Sequence, residues 1–522
     1  LPSQSQAPSQ APSQAPSQAP SQAPSQAPSP LPREPQSAQE SPLALQPQAA
    51  ADPAPLSRAA RWMVLAVAFL GWLFAGVQMS ITPLVSNSAT TDFLAAPAPG
   101  MASAEQGPGE GPGLERRPGP APGQADRKAT PKPVLTRWFA RYNATFLFGA
   151  AAGGLLFGWI GDRAGRAKAL SLSICCYALF SFAAAFARTP EQFVALRFLG
   201  CLGVGGAWPN GIAIAVEVWT HVSKPILAGI IGSAANVGLV LMGLLGCYVA
   251  ITPENWRWVM MVGGLPLFLG LASLVWLPES PLWLVARRNA AALAQSSAGG
   301  SAGGSAGSAT SPSAIPSLSP VRAVFQPPLL WLTLLGILLG AIPLFGGWGC
   351  TNWLVPWADQ VGAKTDPTLK AWTQVYRSVG AAVTSAIGGW VSARLGRRLS
   401  YFLYSAASLF IGQYLYNNLD PTHPHFHWWA LMLGATTGFY FGWLPLCLPE
   451  MFPTAVRSTG AGVTFNTGRV ATGLGVLGAG YLSSLSYFGG DYAKVGAVTS
   501  LIFAGGLVAI WLLPRTPTGK NA

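Results

Sequence analysis

The chain has 522 residues, half of them hydrophobic and only 9% charged, with 60 Gly and 46 Pro. A soluble domain carries roughly a quarter charged residues, so this composition excludes one and points to a membrane. The formal charge of +13 does not indicate nucleic acid, because the basic residues sit in short connections between apolar runs rather than along one soluble face.

Residues 1–57, built on "SQAPSQAPSQAP", offer no apolar face and read as a disordered cytoplasmic tail. No leader pattern of basic, apolar and small residues precedes the repeat, and the first apolar run is too long for one and reads as an anchor. Runs of about twenty apolar residues, enough to cross a hydrocarbon core of roughly 30 Å, fall at 62–83, 141–161, 169–187, 191–216, 225–249 and 258–277, then at 329–356, 371–392, 399–416, 428–448, 458–484 and 494–513. These are twelve expected helical spans. A Pro/Gly-rich loop at 92–140 follows the first, and a Gly/Ser/Ala-rich cytoplasmic linker at 287–325 separates the sixth from the seventh. The expected domains are therefore six-helix bundles at 58–286 and 326–514 and a cytoplasmic tail at 515–522. Cysteines 175, 176, 201, 247, 350 and 447 all lie within spans, with neither a disulfide framework nor metal-type spacing.

Lys and Arg in short loops (Arg163, Arg166, Lys168, Lys224, Arg287, Arg288, Arg394, Arg397, Arg398, Arg457, Arg515 and Lys520) share one side, which the positive-inside rule makes cytoplasmic. Both termini then lie in the cytoplasm and the 92–140 loop outside. Arg116, Arg117, Arg127 and Lys128 in that loop count against the assignment, but long loops translocate largely regardless of charge.

"GWIGDRAGRAK", Gly158 to Lys168, recurs as "GGWVSARLGRR", 388 to 398: an offset of 231 residues aligns Gly158 with Gly389, Trp159 with Trp390, Arg163 with Arg394, Gly165 with Gly396 and Arg166 with Arg397. Glu217 lies seven residues before Lys224, and Glu450 seven before Arg457, at an offset of 233. Asp162 has no twin, since Ala393 stands there. Two similar bundles charged at the same ends have the geometry of a transporter whose halves rock about a central site. The glycines allow tight turns, and the charges pair with one another and with helix dipoles, as a latch on the cytoplasmic face. Setting topology is the plainer role for Lys168, Arg398, Arg515 and Lys520, but topology does not require Asp162, Glu217, Glu450 or the glycines.

"GWIGDRAGRAK" resembles the loop motif of the major facilitator superfamily, and its second copy the degenerate repeat. "RFLGCLGVGGAWP" (197–209) resembles the fourth-helix motif with its buried Arg. "PESPLWL" (278–284) and "PEMFPTAVRSTGAG" (449–462) resemble sequences that close each half of sugar porters and metabolite or organic acid symporters. The resemblance implies an all-α integral membrane protein of about twelve helices, in two bundles related by pseudo-two-fold symmetry, working by alternating access around a cavity lined by spans 1, 4, 7 and 10. It gives Asp162, Arg163, Arg166, Arg197, Glu217, Glu450 and Arg457 structural and gating positions. "GWLFAGVQM" in the first span departs from the acid-proton symporter pattern, with Ala75 and Gln78 replacing both aspartates. No Asp, Glu or His falls near the middle of a predicted span, which puts coupling through the usual carboxylate in doubt.

Arg197, Arg377 and Arg469 remain inside spans. A charge at the bilayer centre costs at least about 2.5–3.5 kcal/mol, so each should meet a partner or water. With few core acids an anionic substrate suits, and guanidinium binds carboxylate bidentately. Arg377 and Arg469 are the candidates, against snorkelling for Arg377 and helix packing for Arg469; Arg197 reads as structural. Span 7, "PLFGGWGCTNWLVPW", is loosened by Gly346, Gly347, Gly349 and Pro356, which makes Trp348, Asn352 and Trp353 candidate contacts. Trp357, Trp428 and Trp429 read as an interfacial belt. Gln78, Asn210, Asn236, Tyr440 and Asn466 are polar in mid-span, either bonded between helices or facing the cavity. "HPHFHWW" spaces three histidines by two, a weak pattern for a metal.

The reading is a secondary transporter of a small organic anion, a carboxylate or acidic sugar, in the plasma (inner) membrane. Its partners are the small-molecule substrate and the lipid bilayer, with no nucleic acid; a monomer suffices, although oligomeric state is open. No nucleotide fingerprint, cofactor motif, metal set or catalytic pair is present, so no cofactor and no enzyme is expected. A neutral sugar or polyol carrier is the alternative, and a non-transporting membrane sensor a further one.

Overall fold

A computed structural model describes residues 56–95, 130–299, 320–327, 329–453 and 456–514. Most of the N-terminal repeat, the loop bearing Arg116, Arg117, Arg127 and Lys128, the middle of the linker, and Arg515 and Lys520 lie outside the described residues, as does the side chain of Lys224. Among the described residues every regular element is a helix, as expected where no water is at hand to satisfy backbone groups.

The first half contains α1 (Arg58–Ala95), α2 (Lys132–Ala164), α3 (Arg166–Ala184), α4 (Pro190–Val218) and α5 (Lys224–Tyr248). Its sixth span breaks at Pro266 into α6 (Arg257–Gly264) and α7 (Leu267–Trp276). Helices α8 (Pro281–Gly299) and α9 (Pro320–Val324) flank the linker. In the second half α10 (Leu329–Phe345) passes through a π turn (Gly346–Cys350) and a 3-10 turn (Thr351–Trp353) into α11 (Leu354–Gly362). It is followed by α12 (Leu369–Leu395), α13 (Arg397–Asn418), α14 (Phe426–Glu450), α15 (Arg457–Leu482), α16 (Tyr492–Ser500) and α17 (Ile502–Ala509).

All twelve expected spans are helical. Nine helical segments among the described residues are long and apolar enough to cross a membrane. Helices α12, α13 and α15 are also long, but carry Lys370, Arg377, Arg397, Arg398 and Arg469 among their residues. The first span exceeds its expected limit of residue 83: α1 has 38 residues, about 57 Å of helix. Residues 80–90 are buried on every side although half of them are Ser, Thr or Asn.

The repeat is visible in the packing. Helix α2 packs on α4 and α12 on α14, so closely that a Cβ at Gly205 would collide with the Ala150 carbonyl and one at Gly434 with the Arg377 carbonyl. Between the halves α2 packs on α15 and α5 on α12, contacts that the repeat exchanges. Gly165, between α2 and α3, has φ 112°, and Gly396, between α12 and α13, has φ 83°, a region that disfavours any residue with a Cβ. These two turns mark what is called here the charged end; the starts of α2 and α12 lie at the far end.

Candidate functional site

At the charged end the repeated residues meet in the same way twice. Arg166 pairs with Asp162 and lies 3.7 Å from Glu217; Arg397, its counterpart, pairs with Glu450. Arg163 lies over the Trp159 ring at 4.4 Å, and Arg394 over the Trp390 ring at 4.0 Å. Gly158 has open space around it, and Arg457 donates from Nε to the Phe452 carbonyl at 3.4 Å. These ion pairs stay within their own half and clamp helix ends to each other. One first-half contact has no copy among the described residues. The Glu279 carboxylate of "PESPLWL" sits against Gly165 and accepts from the Ala167 amide at 3.0 Å, an anion placed on the positive N-terminus of α3.

The halves are joined at the far end instead. Asn87 donates to the Pro356 carbonyl at 3.2 Å and accepts from the Tyr492 hydroxyl at 2.8 Å. The Thr136 hydroxyl donates to the Gly490 carbonyl at 2.9 Å. Asn143 donates to the Trp348 carbonyl at 2.6 Å and accepts from Asn352 at 3.2 Å. Phe146 stacks on Trp348 at 4.3 Å, and Phe139 packs on the buried Trp353 at 4.8 Å. Lys370, 2% exposed, forms an ion pair with Asp359 at 2.8 Å and donates to Ser88 of the other half at 3.0 Å. Among the described residues, the cross-half hydrogen bonds nearest the charged end are Asn236 to Ser385 at 2.9 Å and Arg469 to the Ala150 carbonyl at 3.5 Å.

Of the cationic residues inside spans, Arg197 is buried and donates to both the side chain and the carbonyl of Gln78, at 3.0 and 2.9 Å. Gln78 in turn donates to the Gly263 carbonyl at 2.7 Å, which leaves both residues as ties among α1, α4 and α6. Arg377 donates to Gln374 at 2.8 Å and its Nε has no partner. Arg469 lies over the Phe465 ring at 4.6 Å. Neither Arg377 nor Arg469 forms an ion pair among the described residues, and the neighbouring Asn466 has a buried Oδ1 without a donor.

These arrangements, a duplicated bundle with twin charged turns and halves in contact along two exchanged helix pairs, agree with the sequence model of the Major Facilitator Superfamily, which matches residues 142–476. The chain belongs to this superfamily. It is a multi-pass membrane transporter. It is similar to the gallate transporter of Pseudomonas putida, 27% identical over 81% of this chain and 86% of that one. It is also similar to the cis,cis-muconate transport protein of Acinetobacter baylyi, 23% identical over 67% and 80%. The xylose transporter XylE from E. coli, in a partially occluded inward open structure, shares the fold with a TM-score of 0.60 and 17% identity, over 89% of this chain and all of that one.

In this facilitator chain several expected cavity residues are occupied by interhelical bonds. Besides Gln78, Asn210 donates to the Phe157 and Gly206 carbonyls at 3.1 and 2.9 Å, and Tyr440 bonds Ser405 at 2.6 Å within its own half. Trp353 donates to the Gly349 carbonyl of its own span at 2.5 Å, and the Trp348 ring stacks on Phe146. Trp357 is not part of an interfacial belt: it is buried, stacked on Tyr416, with the edge of Phe426 against it. Trp428 is exposed as expected. The three histidines do not converge, since His427 stacks on Tyr376 while His423 and His425 face each other. Asp359, Lys370, Asn87, Ser88, Asn143 and Glu279 were not among the expected site residues. Asp359 and Lys370 lie just outside the expected limits of spans 7 and 8, and only their opposite charges eleven residues apart across a turn hinted at a pair.

Proposed function

We propose that this transporter carries a small organic carboxylate across the plasma (inner) membrane by alternating access. The bodies that move are residues 58–286 and 326–514, the charged end and both termini are cytoplasmic, and the far end opens outward. The observation that carries the reading is Arg469: a guanidinium in mid-span, at the boundary between the halves, with a ring and one long carbonyl contact beside it and no carboxylate. A charge so placed needs a counter-ion or water, and a guanidinium takes a carboxylate through two parallel hydrogen bonds. Arg377 supplies a second cation with an unused donor; Asn466, one turn from Arg469 on α15, and Asn236, on α5 where it packs against α12, add polar groups between the halves. Gallate and cis,cis-muconate, named for the similar proteins, are both carboxylates. The twin pairs Arg166 with Glu217 and Arg397 with Glu450 brace the cytoplasmic ends of each half so that each rocks as one body.

The test is uptake of labelled carboxylates into cells or vesicles holding the full chain. Arg469→Gln is expected to lower kcat/KM for the carried carboxylate by about tenfold to a hundredfold, the worth of a charged hydrogen-bonded pair. Unchanged transport with Arg377 and Arg469 both replaced by Gln, or competition by neutral sugars and not by acids, overturns the anion reading.

A further inference from the structure

Lys370 and Asp359 are buried to 2% and 9% side-chain exposure and lie 2.8 Å apart at the far end. A buried ion pair adds little stability over apolar residues of the same size, because desolvating both charges offsets most of their attraction; in a membrane protein such a pair marks a pathway more often than a support. Two further observations say which pathway. Lys370 is also held by Ser88 of the opposite half, so separating the halves at this end removes one of the ligands of its ammonium. Moreover, Lys370, Gln374 and Arg377 stand at i, i+4 and i+7 on α12, a spacing that puts them on one face, with Gln374 already bonded to Arg377 at 2.8 Å. Arg377 lies two turns, about 10 Å, deeper than Lys370.

We propose that Lys370 is the reception site for the substrate's carboxylate at the far end, and that Asp359 is the internal carboxylate that holds this site while that end is closed. The proposal rests on the organic-anion reading. When the halves part, Ser88 leaves, water reaches the pair, and an incoming carboxylate competes with Asp359 for the ammonium. It then passes along the same helix face to Arg377, which has no acid of its own to displace. Closing returns Asp359 to Lys370 behind the substrate.

The experiment measures outside-in uptake of labelled gallate, benzoate and cis,cis-muconate by cells expressing the full chain. If the wild type takes up none of them, the function reading falls and this proposal with it. With a carried carboxylate, Lys370→Gln is expected to raise KM by about tenfold or more, and Lys370→Arg, which keeps the charge, to restore it to within about threefold. Asp359→Asn, which removes the competitor, is expected to lower KM below the wild-type value. The double variant Asp359→Asn/Lys370→Gln leaves no buried charge unpaired and retains folding; its KM is expected to stay raised like that of Lys370→Gln. Opposite shifts from the two members of one pair are a signature that a purely structural clasp does not give. A wild-type KM in the double variant, with carboxylate uptake intact, overturns the proposal and leaves the organic-anion reading standing.

Discussion

The two ends of the molecule are held by different means. At the charged end, full charges pair within each half, and the same arrangement appears twice. At the far end the contacts between halves are hydrogen bonds, half of them to backbone carbonyls, and a buried ion pair, Lys370 with Asp359, lies within the second half beside them. A motif expected to latch the cytoplasmic face thus braces each half internally in this state, while the closure between halves lies at the opposite end. The difference is mechanical. Pairs within a half survive rocking and keep each body rigid, whereas contacts between halves must be made and broken in every cycle, and modest neutral hydrogen bonds, worth about 0.5–1.5 kcal/mol net each, suit that use.

Four substitutions separate the two ends, and a reporter reads the first three: Ser86→Cys, at a buried hydroxyl of α1 that has no hydrogen-bond partner, labelled from outside by a membrane-impermeant maleimide. The largest effect is expected from Asp359→Ala, which leaves Lys370 buried and unpaired at a cost of about 3–5 kcal/mol to the closed far end; labelling should accelerate by at least about a hundredfold. An unchanged rate would mean that the pair does not hold the closure. Asn143→Ala removes a donor and an acceptor that span the halves, about 1–3 kcal/mol with the stranded partners counted, and should accelerate labelling by a smaller factor, near tenfold. Glu450→Gln should leave labelling as it is, because its pair lies at the charged end and, unlike Lys370 with its bond to Ser88, has no described contact with the other half. It should lower the melting temperature of the purified protein slightly, consistent with at most about 1 kcal/mol for a partly exposed pair. Glu217→Gln should cost less still, since Arg166 keeps Asp162 while Arg397 has Glu450 alone among its described ion pairs. Faster maleimide labelling in Glu450→Gln would erase the distinction between the ends.

The charged end was legible in the sequence for a physical reason. Charges are scarce in this chain, the turns need glycine at positive φ in two places, and both requirements repeat at one offset. The far end was not legible because its partners are carbonyls. Asn87, Thr136 and Asn143 bond to Pro356, Gly490 and Trp348 through backbone oxygens, which every residue carries and which leave no pattern in side chains. Hydropathy also fails there: residues 80–90 of α1 are polar enough to read as a loop, yet they are helical and buried. The same limit hid Asp359 and Lys370 just past the apparent ends of their spans. The mid-span cations Arg377 and Arg469 could be read as exceptions to membrane composition, but Gln78, Asn210 and Tyr440 could not be sorted into cavity or contact without coordinates, because a mid-span amide or hydroxyl meets either need equally well.

The polar build of α1 at the far end has a consequence for turnover. A plug of leucines would drop into the mouth readily and resist leaving it, since every withdrawal would wet oily surface. A plug rich in serine, threonine and asparagine gains little by going dry and loses little on being rehydrated, so the mouth can be shut without becoming a trap.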